Sequence, residues 1–177
     1  MKAALLGFSG SGKSTLAKRL SIHYGIKALH LDSVHWLSDW RERDAKEGRA
    51  IAENFLAEND SWVIDGNYSR YAYEKRLAQA DLIIILLFNR FECLRRVLKR
   101  YRRYKNTVRA DMGEGCKEKV DWEFIRWVLF DGRSRNRKKA FYNIAKANKD
   151  KTVIFKNQRA LDKWLKANNI GNEKIDL

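Results

Sequence analysis

The stretch that decides the fold is Gly7-Phe8-Ser9-Gly10-Ser11-Gly12-Lys13-Ser14-Thr15. It fits the phosphate-binding loop pattern G-x-x-x-x-G-K-[ST]. Its glycines can adopt backbone conformations that a β-carbon forbids, so that backbone N–H groups can converge on one phosphate. The pattern predicts that Lys13 reaches the β- and γ-phosphates of a bound nucleotide. It also predicts that the Ser14 hydroxyl binds Mg²⁺, a cation that prefers hard oxygen ligands.

The sequence on either side of this loop has the strand-then-helix order that the pattern requires. Residues 2–6 form a short apolar run suited to a buried strand. Residues 14–24 carry apolar side chains at helical spacing, which predicts a helix whose N-terminus adds positive partial charge beside the phosphates. We therefore expect ATP and Mg²⁺ as cofactors, with the nucleotide bound by Gly7, Ser9, Gly10, Ser11, Gly12, Lys13, Ser14 and Thr15.

The charge of the chain indicates anionic partners. It has 37 lysines and arginines against 22 acidic residues, a net charge of +15. Such a field attracts polyanions, so we expect ATP, a small anionic acceptor and non-specific contact with nucleic acid. The length of 177 residues predicts one domain. The sequence shows no membrane-length apolar run, no leader and no metal-ligand spacing of its two cysteines, so we expect a cytoplasmic protein without a membrane partner.

The rest of the chain alternates between strand and helix patterns. Strands are predicted over 27–31, 62–65, 81–88 and 152–155, and helices over 44–59, 70–79, 90–104, 121–130, 136–147 and 159–168. Residues 105–117 are predicted to form a loop, and the tail after Gly171 is expected to fray. This alternation predicts an α/β fold with a parallel sheet and helices on both faces.

In such a sheet the ligand lies beyond the carboxyl ends of the strands. That rule places Asp32, Asp65-Gly66-Asn67 and Asn89-Arg90 beside the phosphate-binding loop. Asp65 is predicted to hold the magnesium ion or its waters, although an Asp-Gly turn is an alternative role. Asp32 is predicted to accept a proton from an acceptor hydroxyl or to contact the waters of the metal, with a helix N-cap as the alternative.

The predicted helix over 90–104 is strongly basic. Arg96, Arg100 and Arg103 share one face, and only Glu92 opposes the charge locally. Because uncompensated like charges weaken a helix, we expect one or more of these arginines to contact phosphate. A second basic cluster, Arg133, Arg135, Arg137, Lys138 and Lys139, is expected to supply a lid arginine that closes over the transferred phosphate.

The tryptophans divide into two groups. Trp62, Trp122, Trp127 and Trp164 lie on apolar stripes or strands and are predicted to be core residues. Trp36 and Trp40 lie between the second and third predicted strands of the sheet. They are the better candidates for stacking on an acceptor.

Several segments together resemble a family of small P-loop kinases related to adenylate kinase, often labelled DNA topology modulation proteins of the FlaR type. The segments are 7–15, Leu29-His30-Leu31-Asp32 with Trp36, Trp62-Val63-Ile64-Asp65-Gly66-Asn67-Tyr68, Phe88-Asn89-Arg90, Asp121-Trp122 with Trp127, and Lys156-Asn157. The resemblance extends from Met1 to about residue 168.

This resemblance implies a three-layer, nucleoside-monophosphate-kinase-like P-loop domain with strand order 2-3-1-4-5. It further implies an acceptor-binding segment at about 33–61 and a helical lid at about 105–137. Adenylate kinases carry Asp-Gly-Phe-Pro-Arg where this chain has Asp65-Gly66, and that arginine grips the acceptor phosphate. Here Asn67 replaces the aromatic residue and neither the proline nor the arginine follows, so the resemblance does not imply AMP as the acceptor; Arg70 is one candidate substitute.

The sequence therefore favours an ATP- and Mg²⁺-dependent phosphotransferase acting on a nucleotide or a similar small phosphorylated acceptor. The predicted catalytic residues are Lys13, Asp32, Asp65, Arg100 and Arg103, and the predicted metal site is Ser14 with Asp65. Two alternatives stay open. One is a kinase of a small hydroxyl compound with Asp32 as base, and the other is a nucleic-acid-binding regulator switched by ATP. The oligomeric state stays undetermined.

Overall fold

The computed structural model describes residues 1–105, 107, 112–113 and 115–171. The strands are β1 (Lys2–Gly7), β2 (Lys27–His30), β3 (Trp36–Leu37), β4 (Arg41–Glu42), β5 (Trp62–Asp65), β6 (Leu82–Leu86) and β7 (Thr152–Phe155). The α-helices are α1 (Lys13–Tyr24), α2 (Leu31–His35), α3 (Ala45–Glu58), α4 (Tyr73–Gln79), α5 (Arg90–Tyr104), α6 (Trp122–Leu129), α7 (Arg135–Ala147) and α8 (Gln158–Ala167). Short 3₁₀ turns lie at Ser38–Trp40, Asp131–Arg133 and Lys149–Lys151.

Five parallel strands form the large sheet, in the order β2-β5-β1-β6-β7. The predicted α/β fold with a five-stranded parallel sheet is confirmed. The order reads 2-5-1-6-7 instead of the predicted 2-3-1-4-5 because β3 and β4 were not predicted. Within the described residues these strands of two residues each pair with one another, in an antiparallel ribbon between β2 and α3. Two residues are too few to show a strand periodicity in a sequence.

Side chains along β1 alternate between the two faces of the sheet, as a strand requires. On one face, Ala3 and Leu5 pack with buried residues of α1, α5 and α8; on the other, Ala4 and Leu6 pack with α3, α4 and α7. Both faces of the sheet are therefore covered, which leaves the carboxyl ends of the strands as the place for a site.

The helix predicted over 70–79 begins only at Tyr73. The residues before it form a turn, and Ala72 has a left-handed φ of 49°. The fully buried Arg76 fixes this turn, because its guanidinium donates to the carbonyls of Gly66, Tyr68 and Tyr71. The sequence gives no local sign of this arrangement, since the three carbonyl groups belong to the backbone.

Two predictions fall partly or wholly outside the described residues. The lid at about 105–137 includes residues 106, 108–111 and 114, and the frayed tail includes residues 172–177. Both stay predictions. Among the helices that the structure describes, none combines the length and the apolar character needed to cross a bilayer.

Candidate active site

The phosphate-binding loop follows β1 and is shaped by its glycines. Gly7, Gly10 and Gly12 have positive φ angles of 135°, 74° and 94°. A β-carbon on Gly7 would lie 2.2 Å from the Leu86 carbonyl oxygen, and one on Gly10 would lie 2.7 Å from that of Cys93. The loop therefore packs backbone against backbone on β6 and α5, which only glycine permits at these two positions.

Helix α1 presents its N-terminus to this loop. Its N-cap is Gly12, and no side chain among the described residues caps it by a hydrogen bond. The first N–H groups of a helix have no partner within the helix, and the dipole makes this end positive. The start of α1 thus has the character of an anion site, as the sequence predicts.

Lys13 folds back over the loop. Its Nζ donates to the carbonyl oxygens of Gly7 and Phe8, at 3.1 and 3.0 Å. Burial lowers the pKa of Lys13, while the carboxylates of Asp32 and Asp65 act in the opposite direction. A phosphate at the loop would supply the negative charge that favours the ammonium form.

Ser14 and Asp65 meet at the carboxyl end of β5. The Ser14 hydroxyl donates to Asp65 Oδ2 at 2.8 Å, and His30 Nδ1 is hydrogen-bonded to Asp65 Oδ1. Asp65 is only 3% exposed. Within the described residues, no three or more His, Cys, Asp or Glu side chains gather as a metal cage. The adjacent hydroxyl and carboxylate nevertheless fit Mg²⁺, which takes few protein ligands and keeps waters and phosphate oxygens as the others.

Asn67, which lies after β5, is hydrogen-bonded to the start of the loop. Its Oδ1 accepts from the Gly7 N–H at 3.0 Å, and its Nδ2 donates to the Gly7 carbonyl at 2.8 Å. The same carbonyl accepts from Lys13 Nζ. Sequence reasoning placed Asn67 near the loop but gave it no role. The Asp-Gly-Asn order after a strand was the available signal, since an amide side chain can pair with both groups of one peptide unit.

Asp32 lies in the first turn of α2. The N-cap of that helix is His30, so the alternative role of Asp32 as an N-cap is wrong. Asp32 Oδ1 accepts a hydrogen bond from the Tyr68 hydroxyl at 2.8 Å. Burial and the Asp32 carboxylate raise the pKa of Tyr68, which keeps the phenol protonated as a donor.

Aromatic rings surround this end of the site. The rings of Trp36 and Trp40 lie 5.6 Å apart in an edge-to-face arrangement. His35 lies against Trp36 and Tyr68, with ring centroids 4.5 and 4.6 Å apart. Trp36, Trp40 and Tyr68 line the same cavity as Lys13 and Asp32, so the predicted stacking candidates do lie at the site.

That cavity has a volume of about 1260 Å³ and a cationic wall formed by α5. Arg100 Nε pairs with Glu118 at 2.7 Å, and the Arg103 guanidinium lies 5.7 Å from the ring of Tyr104. Arg96 donates to the Ser11 carbonyl at 2.9 Å and contacts Glu92 and Gln158. All three arginines line the cavity. Arg96 in addition braces the phosphate-binding loop, a role that sequence reasoning did not predict.

Of two expectations for the second half of the chain, the lid arginine stays a prediction and the core position of Trp122 is wrong. Arg133 is buried and does not line this cavity; it donates to the Val128 and Phe88 carbonyls. Among the cluster that was expected to supply a lid arginine, Arg137 is the one that lines the cavity. The prediction that Trp122 is a core residue is wrong, since it is 75% exposed.

Trp127, also predicted as core, lies at the loop instead. It lines the cavity, its Nε1 donates to Ser9 Oγ at 3.0 Å, and the Arg137 guanidinium lies 4.6 Å from its ring. An indole beneath a guanidinium is a stable cation–π arrangement. Both residues are placed to contact a ligand on the loop. Their sequence signal was ambiguous, because a tryptophan on an apolar stripe is as typical of a core as of a pocket.

The predicted site residues therefore do come together. Lys13, Asp32, Arg100 and Arg103 line one cavity, and Asp65 lies against it through its hydrogen bond to Ser14. The arrangement offers an anion cradle, an oxygen pair for a hard cation, and an aromatic region at the other end.

Solved structures resemble the fold. The deoxyadenosine kinase of M. mycoides, solved with dCMP and dCDP, is 13% identical and aligns with a TM-score of 0.51 over 96% of this chain and 98% of its own. An uncharacterized protein from Eubacterium ventriosum ATCC 27560 is 18% identical, with a TM-score of 0.46 over 96% and 98% of the two chains. The likeness to the first structure shows that this chain shares the fold of that kinase.

At the level of sequence, no family model matches the chain. The uncharacterized protein YqaC of Bacillus subtilis (strain 168) is 30% identical to it over 130 residues. The aligned region covers 72% of this chain and 71% of YqaC. Identity at this level over most of both proteins reflects common ancestry, and the chain belongs to the same family as YqaC.

Proposed function

We propose that the protein is an ATP- and Mg²⁺-dependent phosphotransferase of the nucleotide-kinase type, which transfers the γ-phosphoryl group to a small phosphorylated acceptor. The observation that carries the proposal is the contact between Ser14 and Asp65 beside the Lys13 ammonium, at the base of a cation-lined cavity. Phosphoryl transfer depends chiefly on positioning and charge neutralisation, and these groups supply both.

At the donor end, the N–H groups of the loop and of α1 bind the phosphates, and Lys13 exchanges its carbonyl partners for phosphate oxygens. Ser14 and Asp65 would hold Mg²⁺, directly or through its waters. Bound there, the ion would neutralise charge on the phosphates. Arg100, Arg103 and Arg137 line the cavity that the phosphates would enter and add to the positive potential.

At the acceptor end, the aromatic residues and Arg70 support a ligand that has a ring and an anionic group. Arg70 lines the cavity, its guanidinium is half-exposed, and its ion-pair partner within the described part of the chain is Glu42, at a long distance of 4.0 Å. It can therefore turn to an acceptor phosphate at small cost. The kinase-like fold shared with the deoxyadenosine kinase supports a nucleotide or nucleoside as the acceptor class.

A second candidate, a kinase of a small hydroxyl compound, is favoured by Asp32. Its carboxylate lines the cavity, and Tyr68 occupies one of its two oxygens. The other oxygen could accept the proton of an acceptor hydroxyl. In the hydroxyl kinase, Asp32 is the general base. In the phosphotransferase proposed first, the reaction needs no proton transfer to Asp32, because a phosphate acceptor is already ionised.

A phosphoryl-transfer screen tests both candidates. The full chain is incubated with ATP and Mg²⁺ and with nucleoside monophosphates, nucleosides or small polyols, and labelled products are separated. We expect a phosphorylated monophosphate, and a loss of at least about 100-fold in rate for Lys13→Ala. Lys46→Ala, which removes the same charge from an exposed position on α3, is the matched control and should retain the rate.

The outcomes separate the candidates. Products only from nucleosides or polyols, with a rate that Asp32→Asn abolishes, would favour the hydroxyl kinase. No Mg²⁺- and ATP-dependent transfer to any acceptor, or a Lys13→Ala variant as active as Lys46→Ala, would refute the phosphotransferase.

A further inference from the structure

A second cavity lies behind the phosphate-binding loop and shares no lining residue with the first. Its volume is about 360 Å³, at the lower end of the range for small-molecule sites. Its lining comes from the loop, from the chain after β6 and β7, from the 3₁₀ turn at Asp131–Arg133 and from α7: Phe8, Leu87, Phe88, Asn89, Arg90, Arg133, Lys138, Tyr142 and Lys156. It therefore also lies beyond the carboxyl ends of strands, where ligands of parallel sheets are found.

The lining has four cationic side chains and no carboxylate. None of Arg90, Arg133, Lys138 and Lys156 forms an ion pair with a carboxylate of the described residues. Four positive charges around one small cavity repel one another unless an anion lies between them. This is unlike α5, where Arg96 and Arg100 have the carboxylates of Glu92 and Glu118 as partners.

Arg133 is the most unusual of the four. Its residue is 8% exposed, its guanidinium lies 4.1 Å from the Phe8 ring, and two of its nitrogens donate to backbone carbonyls. Its Nη2 is buried and has no hydrogen-bond partner among the described residues, and the polar side chain that interacts with the guanidinium is the neutral Cys93 thiol, which raises the pKa of Arg133 against the effect of burial. Burial lowers the pKa of Arg133, which is the sign of a desolvated cation. A buried guanidinium without a carboxylate is costly, and a nearby anion would reduce that cost.

The N-terminus of α5 adds to this potential. Asn89 lines the cavity and caps the helix by accepting from the Phe91 N–H at 2.8 Å. Asn89 and Arg90, at the start of this 15-residue helix, both line the cavity, so the positive end of the helix dipole lies at its edge. Tyr142, 45% exposed, supplies a ring and a hydroxyl at the same cavity.

We infer that this cavity is a second phosphate-group site, distinct from the proposed donor and acceptor sites, for a small phosphorylated molecule or inorganic phosphate. Arg90, Lys138 and Lys156 would contact the phosphate, and Arg133 would contribute buried positive charge behind them. The two cavities are lined by consecutive residues at two places in the chain. In the phosphate-binding loop, here also called the donor loop, Phe8 lines the smaller cavity and Ser9 the larger one. On α7, Lys138 lines the smaller cavity and Arg137 the larger one.

An amide-resolved NMR titration of the full chain with inorganic phosphate tests the inference. Shifts should appear at the amides of Asn89, Arg90 and Lys138, separately from any at the donor loop, and should persist in Lys13→Ala. Replacing both surface lysines, in Lys138→Gln/Lys156→Gln, should weaken binding at this cavity by at least about tenfold, because each lysine would donate a charge-assisted hydrogen bond to the bound phosphate. Lys138 and Lys156 are exposed, so their replacement leaves the core intact, whereas replacement of the buried Arg133 would disturb it.

The matched control is Lys139→Gln/Lys163→Gln, which removes the same charge from exposed positions of α7 and α8 that line neither cavity. It should change the affinity by less than about twofold, since distant surface charges are screened. A nucleoside monophosphate that shifts the same amides at lower concentration than phosphate would identify a nucleotide as the source of the phosphate group.

Three results would overturn the inference. One is an absence of phosphate-dependent shifts at these amides while the donor loop responds. Another is an equal effect of the two double variants. The third is tighter binding of duplex DNA than of phosphate through Lys138 and Lys156, which would assign the cavity to nucleic acid. Because the readout does not use catalysis, its failure is distinguishable from failure of the proposed kinase function.

Discussion

Asn67 offers the sharpest test of how the site is held together. Replacing it by alanine removes both hydrogen bonds to Gly7, at 3.0 and 2.8 Å. Each such bond contributes about 1 kcal/mol net, so the free energy of unfolding should fall by about 2 kcal/mol. For a domain of this size that is a decrease in Tm of roughly 4–8 °C.

The functional effect should be larger than the stability effect. The Gly7 carbonyl that Asn67 holds is also an acceptor for Lys13 Nζ. Without Asn67 the entry to the loop can move, and displacement of catalytic groups by about 1 Å can cost on the order of 100-fold in rate. We expect kcat/KM for ATP to fall by at least about tenfold, with a smaller change in the KM for the acceptor.

Two further variants test whether the loss of rate comes from the hydrogen bonds between Asn67 and Gly7 or from lower stability alone. Asn59→Ala removes one amide-to-backbone bond, to the Phe55 carbonyl at 2.7 Å, far from the loop in the chain. It should lower stability by about 1 kcal/mol and leave kinetics unchanged. Asn67→Asp keeps the acceptor for the Gly7 N–H but places a carboxylate beside the Gly7 carbonyl, and should be at least as damaging as alanine.

Urea denaturation measures the free energy of unfolding without any substrate. Initial rates at varied ATP concentrations measure kcat/KM for ATP. An Asn67→Ala protein with the unfolding midpoint of the unmodified chain would refute the hydrogen-bond argument. A loss of rate no greater than that of Asn59→Ala would refute the coupling of Asn67 to the donor loop.

Three other predictions follow from the same geometry. Asp65→Asn should raise the Mg²⁺ concentration needed for half-maximal transfer, because an amide is a poorer partner for a hard cation; an unchanged magnesium titration would leave Asp65 only a structural role. Arg76→Leu should cost about 3 kcal/mol in urea denaturation, since the fully buried guanidinium holds three carbonyls, and a loss below about 1 kcal/mol would contradict that. Binding of duplex DNA, followed by fluorescence anisotropy, should weaken by several orders of magnitude between roughly 50 and 200 mM salt without sequence or supercoil preference, and selective binding at physiological salt without any transfer activity would favour the ATP-switched regulator.

The fold was predictable because its signals are local. The glycine loop requires a strand before it and a helix after it, and the continuous apolar run at 81–88 requires a strand covered on both faces. The carboxyl-end rule then places Asp32 and Asp65 beside Lys13 without knowledge of any contact. The structure does bring these three residues to one site.

Glu92, four residues before Arg96, is a partner that the sequence indicates, but the other partners of these cations were not predictable, because they come from distant parts of the chain. On the sequence, Arg96, Arg100 and Arg133 are equivalent members of basic clusters. In the structure, Arg96 is held by Gln158, 62 residues away, and Arg100 by Glu118, 18 residues away. Arg133 instead turns inward under Phe8. Helical spacing predicts which side of a helix a charged residue occupies, but it does not predict which residues of other elements contact that side.

This distinction also bears on the meaning of the net charge of +15. A uniform excess of positive charge would indicate only a general affinity for polyanions. Here the excess is organised: one set of cations lines the cavity beside the donor loop, and another lines the smaller cavity behind it. Cations directed into concave spaces bind compact anions, whereas a nucleic-acid surface needs them along an exposed face. The arrangement of charge, more than its amount, therefore favours the proposed phosphotransferase over the alternative of a nucleic-acid-binding regulator.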